Sequence, residues 1–318
     1  MTTGRLAAVP AAAFPGVLLD TNAYRELAMD EARFQRFLEA ERRRGVARYA
    51  DPFAVSELLA HLANPQDRDF ALCRRAVVRV WQRCGPSGGE PCGIIRDSES
   101  RFAEVVTGAG LAGHDARTET IGVLIGRVAA APLDQPLDEE ENSRLRVIAA
   151  HVAEQKARFV ETGRRLQATI EAIHAGDGHE KRKETMKRAR RTHASPATRR
   201  GFAEGYIRGA FTNAGVAPPD PLPDALVDRV YPYIATAVEF EALIWEKLAF
   251  DGAKPESRGI QSLRWDQRIA FNIGQSIGVR PLWLVTGDGD FARAAKAAGH
   301  GDRVLTLDQY ERWLGIGS

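Results

Sequence analysis

Two carboxylates stand where short apolar runs stop abruptly. Gly16-Val17-Leu18-Leu19 ends at Asp20, and Leu282-Trp283-Leu284-Val285 leads through Thr286 and Gly287 to Asp288. In a parallel α/β sheet the buried strands are continuous apolar runs, and the chemistry gathers beyond their carboxyl ends. Two strand-end acids 268 positions apart meet only if their strands are neighbours, so the pattern predicts a carboxylate site at one end of a small sheet. Two more acids extend the set. Glu57 follows Asp51-Pro52 in a segment with proline in its first turn, placing it near the start of a helix. Asp266, in Leu263-Arg264-Trp265-Asp266, is expected in the first turn of a helix or at its cap. Clustered oxygens suit hard divalent cations, because Mg²⁺ is typically held by one or two carboxylates plus waters and substrate phosphates.

These acids need a scaffold, and the chain supplies one at each end. After Asp20, residues 23–44 form an amphipathic helix or helix pair closed by Gly45, and residues 46–50 a short second strand. Late in the chain come a helix around Asp266, a strand over 283–285, a helix over 291–298 stopped by Gly299, a strand over 304–307 and a closing helix to Leu314. Between them the α/β rhythm stops. Residues from about 66 to 250 give successive helical segments with loop punctuation at 85–93, 131–138, 176–178 and 217–223, and no strand-like run. The expected architecture is α/β: a small parallel sheet of four or five strands flanked by helices and interrupted by an all-α insertion. The boundaries fall at residues 1–65, 66–235 and 236–318.

Composition bounds the rest. The 318 residues are 44% hydrophobic and 27% charged with a net charge of +2, so no general polyanion affinity follows and any basic surface must be local. One local concentration exists: Lys181, Arg182, Lys183, Lys187, Arg188, Arg190 and Arg191, followed by Arg199 and Arg200. Nucleic-acid contact and a solvated helix face stand about even for it. Cys73, Cys84 and Cys92 lack paired metal-ligand spacing, which argues against a disulfide framework or structural zinc and fits a reduced, cytoplasmic protein. Residues 5–14 loosely imitate a secretory signal but are broken by Pro10, so export is not expected. No stretch approaches the roughly 20 apolar residues that span a bilayer, so no membrane partner is expected.

Four segments together, VLLDTN at 17–22, SELLAHL at 56–62, WDQRIA at 265–270 and LVTGDGDF at 284–291, resemble the PIN-domain nucleases, the family that includes toxins of VapC-type toxin–antitoxin pairs. The resemblance covers the two ends of the chain, and its strength lies in the four motifs occurring in order. It implies a PIN-like sandwich and Mg²⁺- or Mn²⁺-dependent endonucleolytic cleavage, usually of RNA, with Asp20, Glu57, Asp266 and Asp288 as the acidic core. It also implies Asn22, Thr286 and Asp290 as supporting polar positions, and an antitoxin or other protein partner; a homodimer is left open. The chain departs from small family members in the roughly 200 residues between its second and third acids, far beyond ordinary connections. Two alternatives remain: a catalytically silent PIN-like module that binds RNA or protein, and a Rossmann-like phosphatase. The phosphatase ordinarily pairs two acids two residues apart after the first strand, where this chain has Asn22. His61 is expected as a surface or packing histidine, and Glu239, Glu241 and Glu246 as solvent-facing charge. The insertion, joined at both ends to helices beside the acids, is expected to wall the carboxylate pocket.

Overall fold

A computed structural model describes residues 14–86 and 93–316. Cys92 and the signal-like segment up to residue 13 lie outside the described residues.

The sheet is small and mostly parallel. Strand β1 (Gly16–Leu19) pairs in parallel with β2 (Ala47–Tyr49) on one side and with β4 (Arg280–Val285) on the other. A two-residue β3 (Ser276–Ile277), which the sequence pattern did not show, folds antiparallel onto the start of β4, and β5 (Val304–Leu305) pairs in parallel with its end. The Leu19↔Val285 register sets Asp20 and Thr286 side by side at the carboxyl end of the sheet. That point is a topological switch: after β1 the chain goes to β2 on one side and only much later returns to β4 on the other. Open α/β sheets place ligand sites at such crevices.

Strand alternation divides the core in two. Val17 and Leu19 pack into one apolar cluster, while Leu18, Leu282 and Leu284 face the other, as a side-chain period of two requires. The first face is covered by α1 (Thr21–Leu27), α2 (Glu31–Arg44), α4 (Phe70–Cys84), α6 (His114–Ala130) and α13 (Leu307–Leu314). Residues 23–44 thus form a helix pair, closed by Gly45 in the left-handed conformation at φ 66°. The second face is covered by α3 (Pro52–Ala60), α7 (Glu139–Ile173), α10 (Asp224–Ala249), α11 (Arg258–Ala270) and α12 (Gly289–Ala297). A third cluster joins α5 (Ser98–Thr107), α9 (Pro196–Asn213) and α10. Helix α8 (His179–His193) has no buried residue.

The inserted region is helical, and part of its core is shared with the sheet. Cys73, Ala76, Val77, Val80 and Cys84, on one face of α4, pack with Val17 and Leu19, so apolar packing continues across residue 66. A fully buried ion pair fixes this joint. Arg83 of α4 donates to Glu41 of α2 at 2.8 Å, to the Val17 carbonyl at 3.1 Å and to the Tyr49 carbonyl at 3.0 Å. Tyr310 also donates to Glu41, at 2.9 Å. One guanidinium therefore ties α4 to β1, β2 and α2. No described helix is long and apolar enough to cross a membrane.

Candidate metal centre

Each acid reaches the site for a separate local reason. Asp20 follows β1 directly and caps α1, its Oδ1 accepting from the Ala23 amide at 2.6 Å. Asp20 thus serves as a helix cap as well as a strand-end acid, because a helix begins at the very next residue. Asp288 caps α12, accepting from the Asp290 amide at 2.7 Å. Between them, the buried hydroxyl of Thr286 donates to Asp20 Oδ2 at 2.5 Å and accepts from the Asp288 amide at 3.0 Å, linking the two strand-end acids.

Glu57 arrives on α3, whose start is fixed by Asp51 accepting from the Phe53 and Ala54 amides and by Pro52 in the first turn. Thr21, which the sequence reading passed over, donates to Glu57 Oε2 at 2.9 Å and so draws α1 and α3 together. Its one sequence signal was its place directly after Asp20. Asp266 is placed differently from expectation. It neither caps nor opens its helix: α11 starts at Arg258 after Ser257, and Asp266 lies in its third turn. Its neighbour Trp265 is buried against α3, donating from Nε1 to the Phe53 carbonyl at 2.8 Å and meeting the Phe53 ring edge to face at 5.6 Å. That anchor turns Asp266 toward Glu57.

The charges of Glu57 and Asp288 act on both Asp20 and Asp266. Burial is the main reason the Asp20 carboxyl is pushed up to about 6, with Asp288 and Glu57 adding repulsion against the hydrogen bonds that lower it. Asp266 is held well above the usual carboxylate range, first by burial and then by the charges of Glu57, Asp288 and Asp20. It makes no hydrogen bond or ion pair with any described side chain. Asp288 is raised by burial and by Asp290. Asp20 and Asp266, each raised by burial and by neighbouring carboxylate charge, show a pattern common at functional sites.

Other expectations fare unevenly. Asp290 sits beside Asp288 but is paired with Lys247 at 2.6 Å. Asn22 is exposed in the first turn of α1 and makes no side-chain hydrogen bond among the described residues. His61 pairs with Asp67 at 3.0 Å, away from the four acids' hydrogen bonds. Glu239 and Glu241 are not solvent-facing: Glu239 pairs with Arg199 at 2.9 Å, and Glu241 accepts from Tyr206 at 2.8 Å and Trp245 at 2.6 Å. The helix period was right, but another layer of helices covers their side. The expected basic segment is helical and exposed on α8. There Lys181 pairs with Asp177 and Arg190 with Asp251, while Arg182, Lys183, Lys187, Arg188 and Arg191 have no ion-pair partner among the described residues.

Among the described residues, His61, Asp67 and Asp69 are the one trio with ligand atoms all within 4.8 Å of one another. Its Asp69 is already claimed by Arg25, Arg68 and Arg258. No three of Asp20, Glu57, Asp266 and Asp288 bring ligand atoms within 4.8 Å of one another. A donor set made only of oxygens, with Asp266 unpartnered, fits a hard divalent cation that keeps part of its hydration shell. Comparison with known proteins finds no matching family model, no matching curated protein and no matching solved structure.

Proposed function

We propose that this protein is a metal-dependent endonuclease that hydrolyses phosphodiester bonds in a nucleic-acid strand, on a PIN-like fold, with Mg²⁺ or Mn²⁺ as its ion. The observation that carries the proposal is the convergence of Asp20, Glu57, Asp266 and Asp288 at the carboxyl ends of β1 and β4, each within electrostatic reach of others. RNA is the preferred substrate on the strength of the sequence resemblance.

A divalent ion bound there would activate a water and offset the charge growing on the leaving oxygen. Asp20 and Asp288 are the residues placed to ligate it, fixed as they are to the Thr286 hydroxyl and to the caps of two helices. Glu57 and Asp266 face the same space from α3 and α11. Asp266, with its raised carboxyl, is suited to hold a proton and release it to the site. A silent binding module would not need Asp20 and Asp266 buried beside other carboxylates.

Incubating the purified protein with RNA and DNA pools in Mg²⁺, Mn²⁺ or EDTA tests the proposal. Cleavage with either ion and none in EDTA supports it; intact pools under all three conditions contradict it. Helix α8 is the proposed outer part of the strand's path, because Arg190 approaches Glu246 and the adjoining Lys247 touches Asp290 at the acid cluster. Changing Lys183, Lys187, Arg188 and Arg191 to Gln should weaken strand binding and flatten its salt dependence by about 0.7 per lost phosphate contact on a log–log plot. Metal affinity should not change. An unaltered salt titration would return α8 to an ordinary solvated face.

A further inference from the structure

Two of the carboxylates beside the proposed ion carry ammonium groups, one from the inserted region and one from the far end of the helix that leads out of it. Lys156, on α7, has its Nζ 3.6 Å from Glu57 Oε1. Lys247, in the last turn of α10, has its Nζ 2.6 Å from Asp290 Oδ2. The two stand on different helices, 91 positions apart in sequence, and flank the cluster at its α3 and α12 sides. Neither is sealed in: their side chains keep 28% and 29% of their exposure, so both can leave their partners without opening the core. Each also acts on an acid it does not touch at close range, since Lys156 favours ionisation of Asp266 and Lys247 that of Asp288.

We infer that Lys156 and Lys247 form an exchangeable phosphate clamp. In the ion-free protein the two ammoniums neutralise Glu57 and Asp290; when a divalent ion takes over that neutralisation, they turn to the backbone phosphates on either side of the reacting one. A lysine is suited to such an exchange, being a compact charge with three donors on a flexible four-carbon stem. The ligand this selects is a single strand with several consecutive phosphates, rather than a mononucleotide or a simple phosphate ester. A cleft of about 460 Å³ lined by Glu57 and Lys156, and by Arg25 and Arg258 paired with Asp69, extends from the Lys156 side and gives the strand room there. The inference rests on the nuclease reading for its substrate, but its lysines, on α7 and α10, lie outside the motifs that suggested that reading.

The test is strand binding by the full-length Lys156→Gln/Lys247→Gln double variant, against wild type, with a short single-stranded RNA. Binding is titrated against salt once in EDTA and once in Ca²⁺, an oxygen-seeking ion, with the strand checked for integrity afterwards. In Ca²⁺ the variant should lose about 1.4 from its log–log salt slope and bind about 25-fold more weakly at 0.1 M salt, the sum expected for two single-strand phosphate contacts. In EDTA the two proteins should bind alike. Ca²⁺ affinity without RNA should be equal or higher in the variant, because two competing cations are gone. Equal slopes in Ca²⁺, an equal loss in both buffers, or lower Ca²⁺ affinity would each overturn the clamp. A wild type that binds no strand in either buffer would sink the nuclease proposal and the clamp with it, whereas strand binding indifferent to both lysines would sink the clamp alone.

Discussion

Asp20→Asn and Asp288→Asn should each lose at least about a thousandfold of metal-dependent cleavage, because an ion's stabilisation of the transition state amounts to several kcal/mol. Neither should cost the fold. Asparagine caps helices about as well as aspartate, so the Ala23 and Asp290 amides keep an acceptor. For Asp20→Asn the ion-free protein should even become more stable at neutral pH, and the sign follows from the raised carboxyl. Burial pushes the Asp20 carboxyl from an ordinary value of 3.8 up to about 6 in the folded protein, so the folded state holds the proton more tightly. That contribution is fully present below about pH 4 and is lost as pH rises through about 6. At pH 7.5 the asparagine variant escapes this loss, worth up to about 3 kcal/mol for the roughly two-unit shift. Melting both proteins in EDTA across pH 4 to 8 checks it: the gap should widen in the variant's favour toward neutral pH. A variant that retains normal metal-dependent cleavage would remove Asp20 or Asp288 from the site.

Arg83→Met should cost about 3–5 kcal/mol, the largest stability loss expected of a single substitution here. It would strand Glu41 as an uncompensated buried charge and leave the Val17 and Tyr49 carbonyls without their donor. The double variant Glu41→Met/Arg83→Met should recover a large part of that loss, because replacing both members of a buried pair spares the unpaired charge. Chemical denaturation of the two variants decides it. If Arg83→Met unfolds at the wild-type midpoint, the pair does not hold α4 to the sheet.

The sequence carried strand identity and strand-end acids well, because a buried parallel strand is an apolar run with a sharp polar stop, as at Leu19-Asp20. Asp20 and Thr286 do lie side by side across β1 and β4. What stayed hidden depended on partners distant in sequence. The Glu41–Arg83 pair joins two amphipathic helices, and each charge looks locally like one on a solvated face. The apolar stripe of α4 is legible, but nothing in it says that it packs under β1 rather than within a separate helical unit. Glu239 and Glu241 were misplaced for the same reason. Asp266 is expected at a helix start when the helix is begun at Leu263. The apolar spacing of Ile260, Leu263 and Ile269 extends the helix back to Arg258 and puts the acid in its third turn. Lys156 had no local signal at all: its meaning comes only from its approach to Glu57.

Calorimetric titration of Mn²⁺ into the ion-free protein at pH 6, repeated in buffers of different ionisation enthalpy, tests the carboxylate site most directly. Burial pushes the Asp20 carboxyl up to about 6 and holds that of Asp266 well above the usual carboxylate range, so ion binding is expected to expel protons. The expected result is saturable Mn²⁺ binding with net proton release, weakened and with smaller release in both Asp20→Asn and Asp266→Asn. Absence of saturable binding, or binding and proton release indifferent to both substitutions, would contradict the assignment of these acids as a divalent-cation site.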